Sequence, residues 1–189
     1  MVVLLKNIFL SIQEIVVKPK EFWALQKENE IKSQKLLSKY FFPLLLLAVL
    51  AVFTGEFFRS NHFYAGFALM KAGREFLLFL LQYFISVFFT NTLIKTFGGK
   101  KNKKTAQMLV VFSLTPFLLV SIITGLFPFL YVLDALGLYS FYIFWLGAKE
   151  LLDFPQRKLE KYALSTILVN FFIFSFLSVL LSKLLTAYI

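Results

Sequence analysis

The stretch Tyr40–Phe58, YFFPLLLLAVLAVFTGEFF, decides the fold. A bilayer core about 30 Å thick takes about 20 mostly apolar residues at about 1.5 Å of helix rise each. This run meets that requirement. Its Pro43 falls in the first turn, where a missing backbone N–H is tolerated. Four further stretches qualify on the same grounds: Phe76–Ile94, Gln107–Gly125, Phe127–Leu146 and Tyr162–Leu181. Gly125 and Pro128 separate the third from the fourth, which predicts a hairpin with a very short turn.

Composition agrees with five crossings. Of 189 residues, 59% are hydrophobic and 16% charged, whereas a soluble domain carries about 25% charged residues. Too little polar material is present to cover a water-facing surface. The fold expected is all-α: a polytopic membrane protein with five transmembrane helices (residues 40–189) behind an amphipathic interfacial arm (residues 1–39). With no cysteine and one histidine, disulfide frameworks, thiolate metal sites and most imidazole chemistry are excluded. HExxH, GxSxG and P-loop patterns are missing, and Gly98-Gly99-Lys100 lacks the strand and spacing of a phosphate loop. His62 reads as a solvated loop residue. No catalytic, cofactor or metal site is expected.

The net charge of +10 is distributed with a period of two crossings. Sixteen of the 20 lysines and arginines lie in the arm, the second loop and the fourth loop. That alternation is the positive-inside pattern, with the N-terminus cytoplasmic and the C-terminus external. Lys100, Lys101, Lys103 and Lys104 therefore read as orienting charges that touch anionic lipid, and no nucleic-acid partner is expected. In the arm, Val2–Val17 is apolar but interrupted by Lys6, Asn7, Gln13 and Glu14, with no cleavage site following. It reads as a helix in the interface plane, not a signal peptide. Lys18-Pro19 breaks the run, and Lys20–Lys39 resumes as a second surface helix. Lys18, Lys20 and Trp23, with the lysines of the second loop, form the candidate face for lipid or a partner.

Polar groups within the spans are costly, so each is a candidate site residue. Asp134 stands seven residues into the fourth stretch, about 10 Å from its end by helix rise, with Lys71, Arg74 or Lys183 as potential counter-charges. Gln82, Asn91 and Asn170 read as interhelical hydrogen-bonding residues. Pro116 removes a donor in mid-span, which Ser113 or Thr115 is placed to offset. Small residues at helical spacing, Ala48-Ala51-Gly55 and Ser175-Ser178-Ser182, predict close helix contacts.

The runs Val111-Phe112-Ser113-Leu114-Thr115-Pro116 and Leu136-Gly137-Leu138-Tyr139-Ser140-Phe141-Tyr142, then Gly147 and Phe154-Pro155, resemble the Yip1 domain family. The order of parts is similar to bacterial members: an amphipathic arm with Pro19-Lys20-Glu21-Phe22-Trp23, a proline opening the first span, and five helices. The resemblance implies an integral protein of the cell's inner membrane, of a kind usually without known catalysis. Two functions follow. The first is a protein that organises lipids, membrane partners or copies of itself through a basic cytoplasmic face. The second is a small transporter, channel or lipid-moving protein centred on Asp134 and the polar residues of spans two and five (Gln82, Asn91 and Asn170), which a hydrated cavity reaching Asp134 would favour. The charge alternation itself is testable by single introduced cysteines. A cysteine in the Lys100–Lys104 loop should resist a membrane-impermeant reagent in intact cells; labelling from outside would invert the topology.

Overall fold

The computed structural model describes residues 2–28, 36–59 and 63–187. The 29–35 part of the expected second surface helix, and His62, lie outside the described residues. Among the described residues every regular element is helical. Helices α1 (Val2–Val17) and α2 (Pro19–Glu28) form the arm. A single π-turn, Leu37–Phe41, leads into α3 (Phe42–Arg59), followed by the long α4 (Ala65–Thr96). Next come α5 (Lys103–Ser113) and α6 (Thr115–Leu126), a 3₁₀ segment (Pro128–Leu138), α7 (Tyr139–Leu151) and α8 (Gln156–Thr186). Five units are long and apolar enough to cross a membrane: Leu37–Phe58, Ala65–Thr96, Lys103–Leu126, Pro128–Leu151 and Gln156–Leu185.

Three crossings depart from a continuous α-helix, the first by the π-turn Leu37–Phe41 that opens it. The third is divided at Leu114. Pro116 has no N–H to donate, but the ladder resumes on both sides, with Leu114 N–H to Val110 and Leu118 N–H to Leu114. Thr115 does not bond back to its own helix; its hydroxyl pairs with Tyr40 across the bundle at 2.9 Å. The fourth crossing begins with 3₁₀ winding from Pro128 to Leu138, kinked at Leu130, where the apolar pattern predicts ordinary α-helix. Beyond the kink, winding at about three residues per turn places Tyr131, Asp134 and Gly137 in one row. Gly137 ends that row against Phe117, whose ring carbon lies 2.6 Å from where a Cβ would stand.

The outward surface is apolar in stripes. Leu77, Leu81, Phe84 and Phe88 on α4, and Leu164, Leu168, Phe172 and Phe176 on α8, are exposed at three- and four-residue spacing. Such faces are intolerable in water and suit acyl chains. Inward, α3 packs on α6 and on α4, and α4 on α8. Ala48 and Ala51 are buried in that packing. Gly55 meets the carbonyl of Gly125 so closely that a Cβ would collide with it. The small-residue stripe of α3 thus permits direct backbone contact.

The arm is anchored by Trp23. Sequence reading counts this residue in the lipid or partner face and sets its ring against either the bilayer or the helix bundle; it is wholly buried, in the bundle. Its indole N–H donates to the Ile143 carbonyl at 3.1 Å, and its ring meets Phe22 and Phe112 edge-on at 5.5 and 5.7 Å. Gly147 makes the slot: a Cβ there would approach the indole to 2.6 Å. An amphipathic helix presents an apolar face equally to lipid or to a bundle, and here the glycine groove selects the bundle. Phe9, Leu10, Val17 and Leu25 remain exposed on the arm. Trp23→Ala should therefore cost about 3–5 kcal/mol, the usual range for a buried Trp. In a Trp145→Phe background, Gly147→Leu should red-shift Trp23 fluorescence as the arm is displaced; unchanged emission would refute the anchor.

Candidate functional site

A cavity of about 550 Å³ opens where α3, α6 and α8 end and α4 begins. The face of α4 at three- and four-residue spacing, Lys71, Arg74, Glu75, Leu78 and Phe79, builds one wall. Glu56 comes from α3, Ser121 from α6, Tyr131 and Asp134 from the 3₁₀ row, and Ser178 from α8. Among the lining residues three carboxylates meet two cations.

Most of these charges are committed. Lys71 Nζ donates to Glu56 Oε1 at 2.5 Å, with the two side chains 19% and 9% exposed. Arg74 holds Glu75 Oε2 at 3.1 Å and donates to the Ser178 hydroxyl and carbonyl at 3.0 and 3.3 Å. Ser121 Oγ donates to the other Glu75 oxygen at 2.6 Å. Such shielded pairs need this many partners, since desolvation offsets much of the Coulomb gain. Two groups are not satisfied in this way. Arg74 Nε is a buried donor with no partner among the described residues, and Asp134 is an exposed carboxylate with no ion pair among them.

The polar residues singled out in the sequence fall into separate places. Asp134 is at the cavity mouth on the 3₁₀ row, exposed, and not deep within a packed helix. Gln82, Ser113 and Asn170 come together in the interior and line a second, smaller cavity. Asn91 lines neither, and its buried Oδ1 has no partner among the described residues. Thr115 and Pro116 are buried at the α5–α6 junction. Lys18 and Lys20 are exposed on the arm, Lys18 paired with Glu21 at 3.1 Å. Lys100, Lys101, Lys103 and Lys104 are exposed around Asn102, whose side chain caps α5 by accepting from Lys104 and Thr105 N–H.

Glu56, Glu75 and Ser121 are site residues that the apolar-stretch reading passes over. The second stretch, begun at Phe76, leaves Lys71, Arg74 and Glu75 in a loop. Their spacing relative to one another and to Gln82 was the available sign that the helix starts earlier. No curated protein and no solved structure matches the chain. The Yip1 domain family model matches residues 14–178, from within α1 to within α8. An all-helical bundle with five membrane-length units over that same span fits the match, and the chain is a member of the Yip1 domain family.

Proposed function

We propose that this protein is a non-catalytic lipid-organising protein of the cell's inner membrane, whose distal cavity receives a zwitterionic phospholipid headgroup. The observation that carries the reading is the pair in that cavity left without partners among the described residues: the buried Arg74 Nε donor and the exposed Asp134 carboxylate, which makes no ion pair there. A headgroup phosphate would complete Arg74, and a headgroup ammonium would complete Asp134, both through charge-assisted hydrogen bonds. The volume of about 550 Å³ is within the range of small-molecule sites. Exposed Phe129, Tyr131, Val132 and Leu136 beside the mouth offer an apolar border for acyl chains, favouring a lipid over a free solute.

The basic bias supports the cytoplasmic assignment of the arm and the external assignment of the cavity. On the arm side, Lys18, Lys20 and the Lys100–Lys104 cluster are exposed, and so are Phe9, Val17 and Leu25 on the arm, a composition suited to anionic lipid. Transport is the second reading, favoured because a charged cavity does reach Asp134. In that case Asp134→Asn would abolish a pH-dependent flux in liposomes without changing stability.

The headgroup reading is tested by lipid retention in native mass spectrometry from mixed phosphatidylethanolamine and phosphatidylglycerol vesicles. Phosphatidylethanolamine should be retained preferentially. Asp134→Asn should weaken that retention by about tenfold, the value of one charge-assisted hydrogen bond. Its melting temperature should hold, because Asp134 is exposed and makes no ion pair among the described residues. Equal retention of both lipids, or retention indifferent to Asp134→Asn, would defeat it.

A further inference from the structure

Beneath the charged cavity lies a smaller one of about 30 Å³. Its polar lining is drawn from four helices: Gln82 and Ser86 on α4, Ser113 on α5, Ser140 on α7 and Asn170 on α8. Gln82 Nε2 donates to Ser86 Oγ at 2.9 Å and to the Asn170 carbonyl at 3.2 Å. Asn170 Nδ2 donates to the Thr166 carbonyl at 2.9 Å. These bonds orient both amides and leave Gln82 Oε1 and Asn170 Oδ1 as acceptors. Both oxygens are buried without a partner among the described residues, and so are Ser113 Oγ and Ser140 Oγ.

Two acceptors and two hydroxyls are the complement of one water, which donates twice and accepts twice. The pocket has the room and the number of polar partners that a buried water needs. No carboxylate lines it, so a desolvated cation would find no countercharge there. Phe117 and Phe174 line both cavities, and their rings stack at 4.7 Å between centroids and 26° between planes. That pair is the wall the two cavities share. We propose that the inner pocket is a binding site for one water molecule, exchanged with the charged cavity only when the Phe117–Phe174 stack parts. The water joins four helices at mid-membrane, and the aromatic pair sets how deeply hydration penetrates. None of this depends on what the charged cavity binds.

The chain has no cysteine, so Ser113→Cys reports on the pocket alone, with Ser140→Cys as an independent second reporter. Silver ion, a small thiol reagent, is added to the protein in lipid, and the thiol left unreacted is counted after unfolding. Thr124→Cys, in the charged cavity, serves as the open control. A stack open about 1% of the time slows the pocket thiols about a hundredfold relative to that control. Phe174→Ala removes the delay. Equal rates at Thr124→Cys and the pocket cysteines without Phe174→Ala would overturn the partition; continued protection with it would overturn the access route. For the ligand, Ser113→Ala and Ser140→Ala should lower melting non-additively, the double variant melting no lower than the worse single one, since both lose the same water. Additive lowering, or melting raised by sodium over choline chloride at equal ionic strength, would overturn the water assignment.

Discussion

Hydrocarbon supplies no hydrogen-bond partner, and one face of α4 is where this chain meets that constraint. Lys71, Arg74, Glu75, Gln82 and Ser86 succeed one another along it at helical spacing, with Leu78 and Phe79 between. Compensating groups come from three other crossings, Glu56 from α3, Ser121 from α6, and Ser178 and Asn170 from α8, while Ser140 of α7 lines the inner pocket. The lipid-facing stripes of α4 and α8 can be purely apolar because their polar burden is gathered inward. Helix association without a hydrophobic drive depends on such bonds and on close packing. The Gly55–Gly125 contact supplies the second of these beside the same cavity.

Much of the fold was legible because the membrane reduces the problem to length and polarity. The five crossings follow from apolar runs of sufficient length, and the small-residue stripe of α3 announces its backbone contact. The arm was legible as amphipathic helices, yet its partner was not. Burial of Trp23 depends on the slot at Gly147, more than a hundred residues away, and no local pattern encodes that complementarity. The lysines were easier, since a charge cluster beside a span has few places to go but the surface.

The candidate site was legible only in part. An apolar window begins where charges end, so Lys71, Arg74 and Glu75 look like loop when they are the first turns of α4. Once paired with Glu56, Ser121 and Ser178, these charges can enter the helix, because desolvation is offset within the protein. Asp134 was legible as an acid in an apolar run, set about 10 Å from the end of that run by counting at α-helical rise. The structure places it exposed on a 3₁₀-wound segment that lines the charged cavity, beside exposed Tyr131, Val132 and Leu136. Hydropathy does not encode that local winding, and the winding decides which side chains turn toward the cavity.

That winding links the two cavities. An i to i+3 row beyond the Leu130 kink carries Tyr131 and Asp134 along the charged cavity and sets Gly137 against Phe117. Phe117 in turn stacks on Phe174, the partition above the Gln82–Asn170 pocket. A ligand drawn to Asp134 therefore acts on a segment that is in contact with the partition. Rewinding Pro128–Leu138 toward an α-helix would rotate Gly137 out of register, and any side chain brought there would press on the Phe117 ring. The absence of a Cβ at Gly137 is what lets a charged mouth and a closed aromatic stack exist within one short helical segment.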